Sequence, residues 1–341
     1  MKKKNSPFHE YLTNYLVTYL PLQRGNSINT VRSYATSFSI LFQYLQENRH
    51  IKANKVTFKT LTLDVVKDFG IWLEEEKKCK PKTRNLRIQA IKSFCNYILV
   101  FHPECGALVK PLLLIKDKKV VTPLPSHLTT EELIILFRQP DTKKKRGVRD
   151  LAIMNLLFET AVRVTEFVNI KLCDITFGKK PVLTVLAKGG KIHSVCIPLD
   201  TEELLTKYLK IYHISLDCDS YLFTGPSNEK LTRQGINYIL KKYQKKARKN
   251  NPHLFKNYIS AHGMRHSKSY ELVNSGTELI YIRDFLGHSS VTTTEHYART
   301  SPELVSKAIL KFDKKHFDKR NDIYSKEKRS EMLELLDKLK Q

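Results

Sequence analysis

Residues 181–199 read PVLTVLAKGGKIHSVCIPL, and the reading of this stretch decides the fold. Apolar and polar residues alternate on both sides of Gly189 and Gly190. A period of two interrupted by a Gly-Gly pair is the pattern of a β-hairpin. Lys188 and Lys191 fall near its tip. Elsewhere the apolar residues recur at helical spacing. One hairpin inside a helical chain predicts a mainly α fold with a small β-hairpin or sheet.

Upstream, NTVRSYATSFSILFQYLQ places Val31, Tyr34, Phe38, Leu41 and Leu45 on one helix face, with Asn29 or Thr30 as a cap. KPKTRNLRIQAIKSFCNYIL repeats the device, with Leu86, Ile91, Phe94 and Ile98 inward. Lys80, Lys82, Arg84, Arg87 and Lys92 are then expected outside, as a basic face that tracks phosphates. These helices make a first domain over 1–102. The prolines and lysines of 103–127 read as an exposed linker. LTTEELIILF opens a second domain over 128–312, with Thr129 or Thr130 and Glu132 or Glu131 as a capping signal. The tail, 313–341, is charge-rich, but Met332, Leu335, Leu336 and Leu339 share a stripe, so it reads as a docking helix or a solvated end.

The chain has 59 Lys and Arg against 34 Asp and Glu, a net charge of +25 over 341 residues. Such a charge repels itself unless a polyanion neutralises it, and DNA or RNA is the first candidate. The six cysteines lack metal-ligand spacing and read as free thiols of a reducing compartment. No signal core follows the basic N-terminus, and no apolar run approaches the ~18 residues of a membrane span. A cytoplasmic, nucleoid-associated protein with no membrane partner is expected.

Four clusters carry candidate chemistry. TAVRVTEF holds Arg163 with Glu166 three residues on, and the hairpin holds Lys188. AHGMRHSKSYELVNSG puts His262, Arg265 and His266 on one helix face, with Ser260 to cap that helix and Gly276 to end it. LGHSSVTTTEHYAR holds His288 and, nine residues later, Tyr297. Alone, each has a plain structural reading: a surface ion pair, edge lysines, a hydrogen-bonded histidine, a core tyrosine. Together they are two guanidiniums, a lysine, histidines and a phenol. Guanidiniums and imidazoles can clamp a phosphodiester as its charge grows, and a lysine can protonate the leaving oxygen. A tyrosine, with an ordinary pKa of about 10, becomes a competent nucleophile beside so much positive charge. No carboxylate cluster for Mg²⁺ and no nucleotide-binding loop is visible, so neither metal nor cofactor is expected.

In this order the residues resemble the tyrosine recombinase (phage integrase) family over about residues 10–310. The resemblance implies a two-domain clamp: an N-terminal helical, SAM-like core-binding domain and a mixed α/β catalytic domain. It implies that Tyr297 is the nucleophile, that Arg163, Arg265, His262 and His288 hold the scissile phosphate, and that Lys188 is the general acid. Glu166 and His266 would support them, and Lys191 would join the DNA-binding set. The partner would be double-stranded DNA with inverted-repeat-like sites. Four protomers, of one kind or mixed with a second recombinase, would exchange strands on two duplexes through a Holliday junction. Ala161-Val162 and Gly263-Met264 depart from the family's usual Gly-Leu and bulkier pair. No arm-site module is expected ahead of residue 7.

The resulting expectation is a recombinase or transposase that integrates, excises or resolves a mobile element. A Xer-type resolvase of chromosome or plasmid dimers is the alternative. A type IB topoisomerase shares the chemistry but acts on one duplex. A catalytically silent DNA-binding regulator is the reading from another class, and a complete set of catalytic groups weighs against it.

Overall fold

A computed structural model describes residues 7–120, 125–186, 190–214, 219–225 and 229–287. The chain forms two compact units, residues 1–123 and 124–341.

The first unit is helical: α1 (Pro7–Asn14), running on as a wider π-type segment over Tyr15–Gln23, then α2 (Ile28–Arg49), α3 (Leu63–Glu75), α4 (Pro81–Phe101) and the short α5 (Gly106–Val109). Its centre is aromatic, with Phe8, Phe38, Phe58 and Tyr15 ringed about Phe94. The Tyr15 hydroxyl donates to Ser93 Oγ at 2.7 Å, so the one polar atom of that buried ring is satisfied.

Five expectations about this unit are corrected. The cap of α2 is Ser27, whose hydroxyl accepts from the Thr30 amide, and not Asn29 or Thr30. Leu86 points to solvent at 48 % exposure. Arg84 is buried, at 7 %, and donates to the Lys116 carbonyl at 3.3 Å and to Asn85 Oδ1 at 3.2 Å. Arg87 donates to the Ser33 carbonyl and to Ser37 Oγ, both on α2. The buried stripe of α4 runs Arg84, Ile88, Ile91, Cys95, Ile98, a helical repeat that starts on the arginine. Lys80 and Lys82 are exposed and Lys92 half-buried. The segment read as an exposed linker is folded in its first half: Val109, Leu112 and Ile115 are buried in this core. Residues 116–118 are then fastened to α4, with Asn85 Nδ2 donating to the Lys118 carbonyl at 2.8 Å and Gln89 Nε2 to Asp117 at 2.9 Å.

The second unit contains α6 (Thr130–Phe137), α7 (Lys145–Thr160), α8 (Val164–Phe167), β1 (Ile175–Thr176), β2 (Val182–Leu186), β3 (Ile192–Cys196), α9 (Leu199–Tyr212), α10 (Arg233–Asn250), α11 (Ala261–Asn274) and α12 (Leu279–Leu286). The expected hairpin is β2–β3, with Leu186 opposite Ile192. β1 adds an antiparallel third strand beyond β2.

The capping box is Thr129 with Glu132, each bonding the other's backbone amide. α7 is buried on most sides. Its Asp150 carboxylate is held by Arg149 at 2.9 Å, Lys242 at 3.0 Å and the Tyr243 hydroxyl at 2.9 Å, which ties α7 to α10 without an unpaired charge. Ser260 occupies the N-cap position of α11 without a side-chain cap bond. The Ala261 amide donates instead to Asn237 Oδ1. Gly276, at φ +86°, ends the helix as its sequence position implied. Among the described residues no helix is long and apolar enough to cross a membrane.

Candidate active site

Three helix ends converge to make the site. α7 stops because Ala161 turns left-handed, at φ +48°, and the chain reverses into α8. Arg163 is the first residue after the turn, with its backbone extended at the N-cap of α8. Glu166 holds it twice, accepting from the Arg163 amide and from Nη1, both at 2.9 Å. The carboxylate is nearly enclosed, at 8 % side-chain exposure, while the guanidinium keeps 36 %. A buried carboxylate that fixes a half-open cation is an orienting arrangement. The free edge of Arg163 donates through Nη2 to the Gly287 carbonyl at 3.2 Å.

Arg265 comes from α11 and is buried, at 3 % exposure. Its Nη1 donates to the Ala161 carbonyl at 2.6 Å, and its Nη2 donates to the Leu286 carbonyl. One guanidinium therefore joins the end of α7 to the end of α12. A helix C-terminus carries unpaired carbonyls and partial negative charge, so cationic donors belong there. Beneath lies a small apolar cluster of Ala161, Tyr270, Val273, Ile282 and Leu286.

His262 stands on the exposed side of α11, three residues before Arg265. Its pKa is held below the usual histidine range, first by partial desolvation and then by the charges of Arg265 and Arg163. The ring is thus neutral near pH 7 and able to accept a proton. His266 lies one turn on, its ring 4.2 Å away and edge-on. Both departures at these positions have a physical account. Ala161 takes the left-handed turn that a glycine would take more cheaply. Gly263 is required, since a Cβ there would sit 2.6 Å from Ile259 Cβ.

The structure brings Arg163, fixed by Glu166, and Arg265 to the Leu286–Gly287 turn, with His262 close enough to feel both guanidinium charges and His266 against the His262 ring. Lys188, His288 and Tyr297 lie outside the described residues, as does the tail. Lys191 is exposed at the end of the hairpin loop. Among the described residues no group of three or more His, Cys, Asp or Glu could hold a metal ion.

Two features escaped the reading of the sequence. His193 on β3 donates to the Phe285 carbonyl at 2.9 Å. The chain entering the unit is fastened to α11: the His127 ring stacks on Tyr270 at 3.9 Å, and the Leu128 amide donates to Ser267 Oγ at 2.8 Å. Ser267 and Tyr270 lie two and five residues past Arg265, but no spacing rule connects them to residues 127 and 128.

Residues 126–303 match the phage integrase family, and residues 7–97 match the phage integrase SAM-like domain. The chain belongs to the phage integrase family. Its members, the tyrosine recombinases, cut and rejoin DNA at specific sites without metal or ATP. Tyrosine recombinase XerD of Staphylococcus epidermidis is 28% identical over 312 residues, covering 90% of this chain and 98% of that protein. Tyrosine recombinase XerC of Bacillus pumilus is 27% identical over 307 residues, covering 88% and 95%. In fold, the chain is similar to the XerH site-specific recombinase in its post-cleavage complex with a palindromic difH substrate. The TM-score is 0.67 at 19% identity, over 90% of this chain and 89% of that one. It is equally similar to the Tn1549 transposon integrase in complex with transposon right-end DNA, with a TM-score of 0.67 at 17% identity over 87% and 98%.

Proposed function

We propose that this tyrosine recombinase breaks DNA by attack of the Tyr297 hydroxyl on a phosphodiester, leaving a 3′-phosphotyrosyl bond and a free 5′-hydroxyl. Arg163, Arg265, His262 and His288 hold the non-bridging oxygens. His262, neutral and beside two arginines, receives the phenolic proton. Lys188 gives a proton to the departing 5′-oxygen. Attack by a partner strand's 5′-hydroxyl reverses the step, so the bond energy is kept. Two such exchanges on paired duplexes, by four protomers, pass through a Holliday junction. The observation that carries the reading is the pair of guanidiniums fixed at the Leu286–Gly287 turn, with His288 next in sequence and Tyr297 nine residues beyond it. Lys80, Lys82 and Lys191, exposed and basic, are proposed as phosphate contacts.

The biological role we infer is movement of a mobile element. A Xer-type role in resolving dimers is the second reading, favoured by the XerD and XerC relatives matched along nearly their whole lengths. A plasmid with two directly repeated sites separates them. Resolution without an added target favours the second role, and joining to a new target favours the first.

The test of the chemistry is a nicked suicide duplex, carrying a site the protein selects from a randomised pool, with EDTA present. The wild type is expected to form an adduct that survives SDS, and Tyr297→Phe to bind without forming one. Adduct from the variant would remove Tyr297 from the mechanism.

A further inference from the structure

Three consecutive carbonyls at the end of α12 are each held by a side chain from a different part of the unit. Leu286 accepts from Arg265 and Gly287 from Arg163. The third, Phe285, accepts from His193 Nε2 at 2.9 Å. His193 belongs to none of the clusters read from the sequence. It lies on β3, paired with Val185, one position inside the Leu186–Ile192 pair that closes the strands. Those two closing residues are exposed, so His193 is the anchored position nearest the hairpin loop on its strand. Its half-buried ring also flanks Gly287: a Cβ at that glycine would lie 3.6–3.7 Å from three ring atoms. Gly287 itself is left-handed, at φ +60°. The turn before His288 is therefore contacted both by the two arginines and by a histidine from the hairpin strand.

We propose that His193 is a positioning residue that fixes β3, and so the hairpin whose loop carries Lys188 in sequence, against the turn held by the two arginines. The inference rests on the reading of Lys188 as the acid for the leaving group. A carbonyl can only accept, so Nε2 carries the hydrogen and donates it to Phe285. Among the described residues that bond ties β3 to the end of α12 next to the loop, and its loss would let the hairpin shift relative to the turn, and with it the acid that the proposed reaction draws from the loop. A displacement of about 1 Å can cost on the order of a hundredfold in rate.

The proposal makes a chemical prediction that a general loss of structure does not. In cleavage of ordinary DNA, the tyrosine oxygen bonds to phosphorus, the P–O5′ bond breaks, and the 5′-oxygen takes a proton. If that bridging oxygen is replaced by sulfur, the P–S bond breaks to release a thiolate, which needs no proton. The full chain is assayed on the selected suicide duplex with oxygen or sulfur at the bridging position, and DNA binding is measured alongside. Lys188→Ala is expected to lose activity on the oxygen substrate and recover it on sulfur.

His193→Ala should behave in the same way, with a loss of about ten- to a hundredfold on oxygen, near-normal rates on sulfur and normal binding. His193→Gln, whose amide can still donate to the Phe285 carbonyl, should regain most of the oxygen rate. Equal loss on both substrates, or no loss on either, overturns the role of His193. If Lys188→Ala is not rescued by sulfur while Tyr297→Phe still abolishes adduct on both, the assignment of the acid fails, and the positioning role falls with it. If Tyr297→Phe forms adduct, the reading of the reaction itself is wrong.

Discussion

The arginines of α4 and the arginines of the candidate active site begin from the same chemistry and end in different roles. Arg84, Arg87, Arg163 and Arg265 all donate to backbone carbonyls. Arg84 and Arg265 are both nearly buried. The difference lies in what surrounds them. Arg265 sits at a helix C-terminus beside a half-open Arg163 and a neutral His262, so positive potential is concentrated where an anion can approach. Arg84 is packed against Gly70, with its guanidinium 3.1 Å from where a Cβ there would lie, and it ties α3 and α4 to residue 116. A buried arginine can be a clamp or a rivet, and its neighbours decide which.

The comparison breaks most visibly at Arg265. Arg265→Lys keeps the charge but cannot span the Ala161 and Leu286 carbonyls at once. Adduct formation should fall by at least ~10²–10³-fold, the usual cost of one oriented donor to a developing anion. A drop under tenfold in a single-turnover assay would show that the bridge is dispensable.

Arg84 should fail in the opposite way. Arg84→Glu places an unpaired charge in a packed site and should cost about 3–5 kcal/mol in urea unfolding. Arg84→Met, which keeps the apolar stem but loses the bonds to Lys116 and Asn85, should cost about 1–2 kcal/mol and leave DNA affinity close to wild type. Lys82→Glu is the control on the exposed face. It should weaken DNA binding and flatten its salt dependence without moving the urea midpoint. Weaker DNA binding by a folded Arg84→Met would return that residue to the DNA interface.

Much of this was legible in the sequence. The hairpin, the capping box and the end of α11 follow from local rules, because their determinants lie within a few residues of each other. The buried stripe of α4 is also legible, through the repeat 84, 88, 91, 95, 98, but it begins on an arginine, whose charge argues for the outside while the period argues for the core. The contacts of His193 with Phe285 and of His127 with Tyr270 were not legible. They join residues 92 and 143 positions apart, and no periodicity records such a meeting. In the site, the residue types were readable while the carbonyls that hold them were not, since any residue supplies a carbonyl.

The same contrast extends to the two departures in the site. Gly263→Ala forces a methyl onto Ile259 and should cost about 1–3 kcal/mol, with slowed cleavage because α11 carries both His262 and Arg265. Ala161→Gly relieves a left-handed alanine but removes a buried methyl and loosens the unfolded chain, so the terms oppose and the net should stay within about 1 kcal/mol. A large loss from Ala161→Gly would mean that the methyl, and not the backbone turn, is what the small apolar cluster needs.

The smallest effect concerns His262, and its sign is fixed by its surroundings. The folded protein holds this ring's pKa below the unfolded value of about 6.5, so on acidification the unfolded chain takes the proton first. The site therefore loses stability as the pH falls from the ordinary histidine range toward the lower folded value. Above that range His262 contributes nothing to the pH dependence. His262→Gln removes this titration, so the variant's urea midpoint should fall less between neutral pH and about pH 5 than that of the wild type. A phosphate between the arginines should raise the affinity of the ring for its proton, because the anion offsets the two charges that depress it. Titration of the His262 ring by NMR, free and with a duplex bound, reads both shifts. A ring that titrates at or above the ordinary value in the free protein would show that neither burial nor the neighbouring arginines depress it.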